Sequence, residues 1–498
     1  MKFSGDSKAL ILFAALWSAL PNIHAQQLAA DPNPAAVSDQ ATDQPTDQTA
    51  AVRILYFEQP VALDQSGNTR FSGLIDAFAE GAAPLPEPSV FDDLTPEQQE
   101  FLQRLQDIDS YEQVLEQLEQ EDGAWSSQIA EELSTLGTLL YAQGDYEQSI
   151  KVFDRAVHVN RINYGLYSTQ QIPLVDRIVQ SHVALGQWVE ADRQQQYAYY
   201  VQTKAYGARD PRMAEVFENM ARWNVTSFYR GLDPDPSARL LETYRLFRNA
   251  ANTVAFHFGT ADPRYVNLLK DVAGAADMIT RYTPPGTLEA TAMNPNIRRV
   301  SEFVGVPNDQ VRVPNGGGEG ALRRIVEFYS DSDRPATQEN QMRRVQALAE
   351  LGDWYTMQQK RQAALETYME AWNLLLTLED GSALAQQYFD RVVFLPTFSR
   401  FEDEQREAFQ VSPDFGARQG YVDVSFDVSR YGRASNLTVL KVEPADMARV
   451  DMLATSHLRS LTLRPRIQDG EALATTDERY RLPFWYREER AVADTTGE

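Results

Sequence analysis

The sequence predicts a mainly α fold in two parts, a solenoid of stacked helical hairpins and a small α+β domain after it. Three observations predict it. Apolar residues recur at helical spacing through most of the chain, Gly-centred turns return at a regular interval, and the pattern switches to strict alternation near residue 420.

The hairpin pattern is clearest at 136–157, LGTLLYAQGDYEQSIKVFDRAV. Tyr146, Ile150, Phe153 and Val157 form one apolar helix face, Gly137 and Ala156 are small where two helices cross, and Gly144 ends the first helix. These positions resemble the tetratricopeptide repeat (TPR), with Leu136, Gly137, Gly144, Ser149, Phe153 and Ala156 at its fixed offsets. A second turn falls at Gly186, 42 residues after Gly144, followed by Ala191 and Ala198, which resembles the longer TPR variant. Tyr164-Gly165, Tyr206-Gly207 and Phe258-Gly259 end long second helices, and Asp210-Pro211 and Asp262-Pro263 cap the helices that follow, each cap contributing about 1 kcal/mol. Four hairpins are expected over 130–282. The stretch 283–320, with its Gly-rich run, reads as an irregular loop. Further TPR-like helices occupy 321–395, with Leu351, Gly352, Tyr355, Ala364, Tyr368 and Ala371 at repeat offsets and Gln359 in place of the turn glycine.

Ahead of the repeats, residues 1–25 read as a signal peptide: Lys2 and Lys8, an apolar core over 9–20, Pro21, and cleavage after Ala25. The apolar run is shorter than the roughly 20 residues that span a bilayer. Residues 26–51 are poor in apolar side chains and read as a disordered tether. The region 52–129 is expected to cap the array, with a short strand at 52–57 and a helix opened by Thr95 and Pro96.

After a linker at 396–419, residues 420–428 place Val422, Val424, Phe426 and Val428 on one face of a strand. A turn at Gly432, a second strand, a helix, an Arg464-Pro465 segment, a Gly470 turn and a closing strand at 480–486 follow, before a disordered tail at 488–498. This order over 420–487 resembles the C-terminal domain of the TonB energy-transducer family, on Gly420, Gly432, Pro465, Gly470 and Phe484. The resemblance implies a small sheet with a helix that receives an extended peptide as an added strand. Pro483 suggests that the closing strand lies at an edge.

Composition bounds the chemistry. The formal net charge of −25 argues against nucleic acid and anionic lipid as partners. With no cysteine and five scattered histidines, no metal or cofactor site is expected. The chain carries no Gly-x-Ser-x-Gly elbow and no HExxH, and acidic runs such as Glu402-Asp403-Glu404 read as solvated. The expectation is a non-enzymatic periplasmic adaptor whose partners are other cell-envelope proteins, with membrane contact only through those partners or an uncleaved leader. Candidate contact residues are Thr138, Tyr141 and Trp354 on first helices of the repeats, and Tyr480, Leu482, Phe484 and Tyr486 on the closing strand. The alternatives are an energy transducer, if the leader is retained as an anchor, and an envelope enzyme without a recognisable motif.

Overall fold

The computed structural model describes residues 52–64, 96–282 and 317–488, apart from single positions at 332–334, 336, 446, 448 and 470. The expected signal peptide, tether, Thr95 cap, most of the 283–320 loop and the tail beyond Glu488 lie outside the described residues.

Helix α1 (Pro96–Asp122) is one continuous helix that lays Ile108 and Leu115 on the first hairpin. That hairpin is α2 (Ser127–Gln143) and α3 (Tyr146–Tyr164), and the next two are α4 (Ile172–Ala184) with α5 (Trp188–Tyr206) and α6 (Met213–Arg230) with α7 (Pro236–Phe258). The expected fourth hairpin is not complete by residue 282. Helix α8 (Pro263–Tyr282) pairs with α9 (Gly317–Ser330), so the long connection interrupts a hairpin instead of separating two blocks. A fifth pair, α10 (Gln338–Met357) and α11 (Arg361–Leu376), is followed by the short α12 (Gly381–Phe389). Paired helices stacked in series make the array TPR-like.

Two devices from the sequence account for this packing. Gly137 faces the Phe153 ring and Gly352 the Tyr368 ring so closely that a Cβ would lie 2.9 and 2.4 Å from ring carbons. The Gly-rich run is not all loop, since 317–320 form the first turn of α9 and Gly318 lies under the Trp354 ring, where a Cβ would approach to 2.2 Å. The corner glycines Gly165, Gly207 and Gly259 have φ of 95, 78 and 83° with ψ near extended values, a region open only to glycine. After two of these corners the same clamp recurs. Asp210 accepts from the backbone and side chain of Arg212, whose guanidinium lies 3.9 Å from the Tyr206 ring centre, and Asp262, Arg264 and Phe258 repeat it.

The C-terminal sheet contains β4 (Ala417–Val428), β5 (Ala434–Glu443) and β9 (Thr475–Glu488), all antiparallel. Helix α14 (Val450–Ser460) covers one face, and Val422, Val424, Phe426 and Val428 are buried there as the alternation predicts. The strand at Val52–Phe57 (β1) forms, but it does not cap the repeats. It pairs with β9, as does the two-residue β2 (Val61–Ala62), giving the order β1-β9-β4-β5. The closing strand is therefore internal, and the expected edge position of 480–486 is corrected by a strand arriving from the opposite end of the sequence.

One ion pair ties the C-terminal domain to the array. Strand β6 (Thr462–Arg464), which pairs with β3 (Val393–Leu395) outside the C-terminal sheet, presents Arg464 to Asp353 on α10, with two parallel bonds of 2.7 and 2.6 Å, and both residues are buried. Asp353 also accepts from Tyr368 Oη at 2.8 Å and Thr397 Oγ1 at 2.6 Å, so both its oxygens are satisfied. Burial opposes the Arg464 charge, but the adjoining Asp353 carboxylate holds its pKa above the ordinary value. Arg464→Met leaves a buried, uncompensated carboxylate and is expected to lower unfolding free energy by about 3–5 kcal/mol in denaturant titrations. An unchanged midpoint would mean that the pair does not clamp the two parts.

Candidate interaction site

The first helices of the hairpins, α2, α4, α6, α8 and α10, share one face of the array, and residues 397–410 of the expected linker 396–419 lie along it, while its last residues already belong to β4. Thr397 donates to Asp353 and Phe398 packs on Trp354 at 5.9 Å, both on α10. Arg400 lies 3.9 Å from Asp271 on α8, and Phe401 sits over Gly274 of the same helix, where a Cβ would come within 2.9 Å. The short helix α13 (Glu402–Ala408) brings Glu404 to Arg222 of α6 at 2.6 Å, and Arg230 donates to the Ala408 carbonyl. Gln410 finally donates to the Val183 carbonyl of α4 at 3.0 Å. The segment is thus a strap across four successive first helices. Its side chains explain why: Phe398, Phe401 and Ala408 are buried, and three such residues are out of place in a solvated linker.

The strap decides where the predicted contact residues lie. Trp354 does sit on a first helix, but it is 2% exposed beneath Phe398 and Gly318, so it is core. Tyr480, Leu482, Phe484 and Tyr486 alternate onto the face covered by α14 and are buried too. Thr138 and Tyr141 lie on α2, beyond the end of the strap. Thr138 is exposed with its hydroxyl bonded to the Ser134 carbonyl, and Tyr141 is half-buried, edge-on to Tyr146 and 5.9 Å from the Arg177 guanidinium of α4. Among the described residues the face is therefore open at the first hairpin, where that of the later ones carries the strap.

Charge reinforces the strap. Arg222 is shared among Glu404, Glu218 and the fully buried Asp271. Glu404, expected among solvated acids, is only 6% exposed, because the strap carries it into the array. Desolvation pushes the Asp271 carboxyl up to about 6 despite the pull of Arg222 and Arg400, with Glu218 and Glu404 adding to the rise.

Where the strap meets the sheet, a cavity of about 290 Å³ is lined by Tyr56, Phe57, Arg281, Tyr282, Arg406 and His457. Phe57 of β1 stacks on His457 at 5.0 Å and meets Phe484 at 5.9 Å, while Tyr56 stacks on Phe409 of the strap at 5.8 Å. Burial, with Arg281 nearby, lowers the imidazole of His457 to about 4. Among the described residues no group of three or more His, Cys, Asp or Glu side chains is placed to hold a metal, and no helix is long and apolar enough to cross a membrane.

No protein-family model and no curated protein matches the chain. Among solved structures, it is similar to two crystal structures of a Podosopora anserina protein described as a putative kinesin light chain with nearly identical TPR-like repeats. Identity is 13%, over 50% of this chain and 96% of that one, with a TM-score of 0.30 for each. It is also similar to BtubC (BKLC) from P. vanneervenii, at 11% identity over 57% and 92% with a TM-score of 0.30. Scores this low carry no conclusion about function.

The raised carboxyl has a definite pH signature. Asp271 binds its proton more tightly folded than unfolded, so its contribution favours folding as pH falls through about 6 and disfavours it above. Asp271→Asn should be more stable than the native chain at pH 8, by on the order of 2 kcal/mol, with the gap closing toward pH 4. Chemical denaturation of both proteins across that range reads it.

Proposed function

We propose that this chain is an exported, non-enzymatic scaffold of the cell envelope that binds other envelope proteins at two places. The first is the open end of the first-helix face, at Thr138, Tyr141 and Arg177. The second is the C-terminal sheet, acting as a TonB-like docking module for an extended segment.

The observation that carries this reading is the strap. A stretch with aromatic and charged anchors, part of it the short helix α13, already lies along the first helices from α10 to α4, and among the described residues the same face continues uncovered onto α2. A partner segment there would use the chemistry that seats the strap, aromatic contact plus a carboxylate for Arg177. The sheet reading rests on the order β4, β5, α14, β9 and on β5, which among the described residues pairs on one side only and exposes Leu440 to half of its full area. Two surfaces on one rigid frame raise avidity through effective concentration. The periplasm as location, with cleavage after Ala25, rests on the leader pattern, and the net charge of −25 supports protein partners over nucleic acid.

A photo-crosslinking residue at Tyr141 or Leu440 is expected to capture envelope proteins in cells, while one at Met369, exposed on the second helix α11, captures none of them. Identical adducts at all three positions, or none at any, would sink the reading. N-terminal sequencing of the mature protein should begin at Gln26. A chain that keeps Met1 would instead favour an anchored transducer.

A further inference from the structure

The sheet's second edge is closed by the chain itself. Strand β1 pairs with β9 from Val52 opposite Glu488 to Phe57 opposite Phe484, with its register broken between Ile54 and Tyr56. None of the six β1 residues is buried, whereas Leu482, Phe484 and Tyr486 of β9 are, with Ile54 and Phe57 packed against that core from its edge. The arm returns to β9 through β2 and the buried Leu63, whose amide donates to the Arg479 carbonyl at 2.8 Å. Leu63 thus holds the arm to the sheet independently of β1. The contacts that select β1 are specific, beginning with the stacking of Tyr56 on Phe409 and of Phe57 on His457. Ile54 and Phe57 pack on the sheet core, and Glu58 accepts from Trp485 Nε1 at 2.5 Å and from Gln419 Nε2 at 3.3 Å, while its amide donates to the Pro483 carbonyl.

We infer that Val52–Phe57 is a resident ligand of the β9 edge, and that an extended segment of a partner protein replaces it there. This rests on the reading of the sheet as a docking module. The register defines the segment: an aliphatic residue at the Ile54 position, an aromatic three residues later, and a carboxylate immediately after it. The break in the pairing divides β1 into two short runs, so exchange proceeds one run at a time while Leu63 keeps the arm in place.

The chain has no cysteine, so Val52→Cys with Glu488→Cys introduces a single possible disulfide across a paired and exposed position. The probe is a fluorescent peptide of residues 52–59, VRILYFEQ, added to the full chain. Binding is expected to the reduced form and to fall at least about tenfold on oxidation, while Ile54→Ser with Phe57→Ser in the chain should raise affinity about tenfold over the native protein. Equal binding to oxidised and reduced forms would overturn the inference, since the peptide would then sit elsewhere. So would absence of binding to both the native chain and the Ile54/Phe57 variant, provided that the variant still melts cooperatively. Crosslinks from Leu440, at the opposite edge on β5, combined with equal peptide binding to both forms would leave the docking reading standing at that edge while removing β1 from it.

Discussion

The pairing of Asp353 with Arg464 is the contact on which the rest of the architecture depends. It joins a helix of the repeat array to a strand of the C-terminal domain, and it gathers Tyr368 and Thr397 on the same carboxylate, so hairpin, strap and domain meet at one side chain. A buried ion pair is no guarantee of net stability, because two desolvations stand against one attraction. Its value lies in placement. Both oxygens of Asp353 are satisfied in one arrangement of the three elements, and a shift of any of them strands a charge.

From that point the strap runs across the first helices and turns a repeat array into a filled one. In an open array of this kind the face of the first helices is available along its length. Here the described part of that face is available only at the α2 end, and the remainder carries Phe398, Phe401 and Glu404 of the chain's own sequence. Gly274 and Gly318 are small where strap and repeats press aromatic rings against a helix. Binding capacity and structural integrity thus compete for one surface, and the chain has committed most of it to integrity.

The sheet makes a similar commitment at one edge. Strand β9 lies between β4, from its own neighbourhood, and β1, from the beginning of the described chain, while β5 stays open. Unpaired edges invite association, and covering one while leaving another free confines that tendency to a chosen side. Tyr56 on Phe409 and Phe57 on His457 place β1 against strap and sheet at once, so the occupant of this edge is felt at the junction with the array.

Periodicity alone determined the fold class: hairpins wherever Gly137–Phe153 and Gly352–Tyr368 recur at matched offsets, and a strand wherever valines alternate from Val422 to Val428. These are local patterns, and a helix or strand needs only its own residues to declare an apolar face. The sequence also placed Thr138, Tyr141 and Trp354 on first helices correctly. What covers those helices was not legible, because burial depends on which distant segment arrives. Phe398 buries Trp354 from 44 residues away, and α14 buries Tyr480, Leu482, Phe484 and Tyr486. The phenylalanines of the supposed linker were the one signal of the strap, and they name no partner until Gly274 and Arg222 stand opposite them. Likewise, whether β9 was edge or interior rested on residues 52–57 finding it across the whole chain. Tertiary structure alone decided such long-range pairings, since they follow from complementary surfaces and not from any period in the sequence.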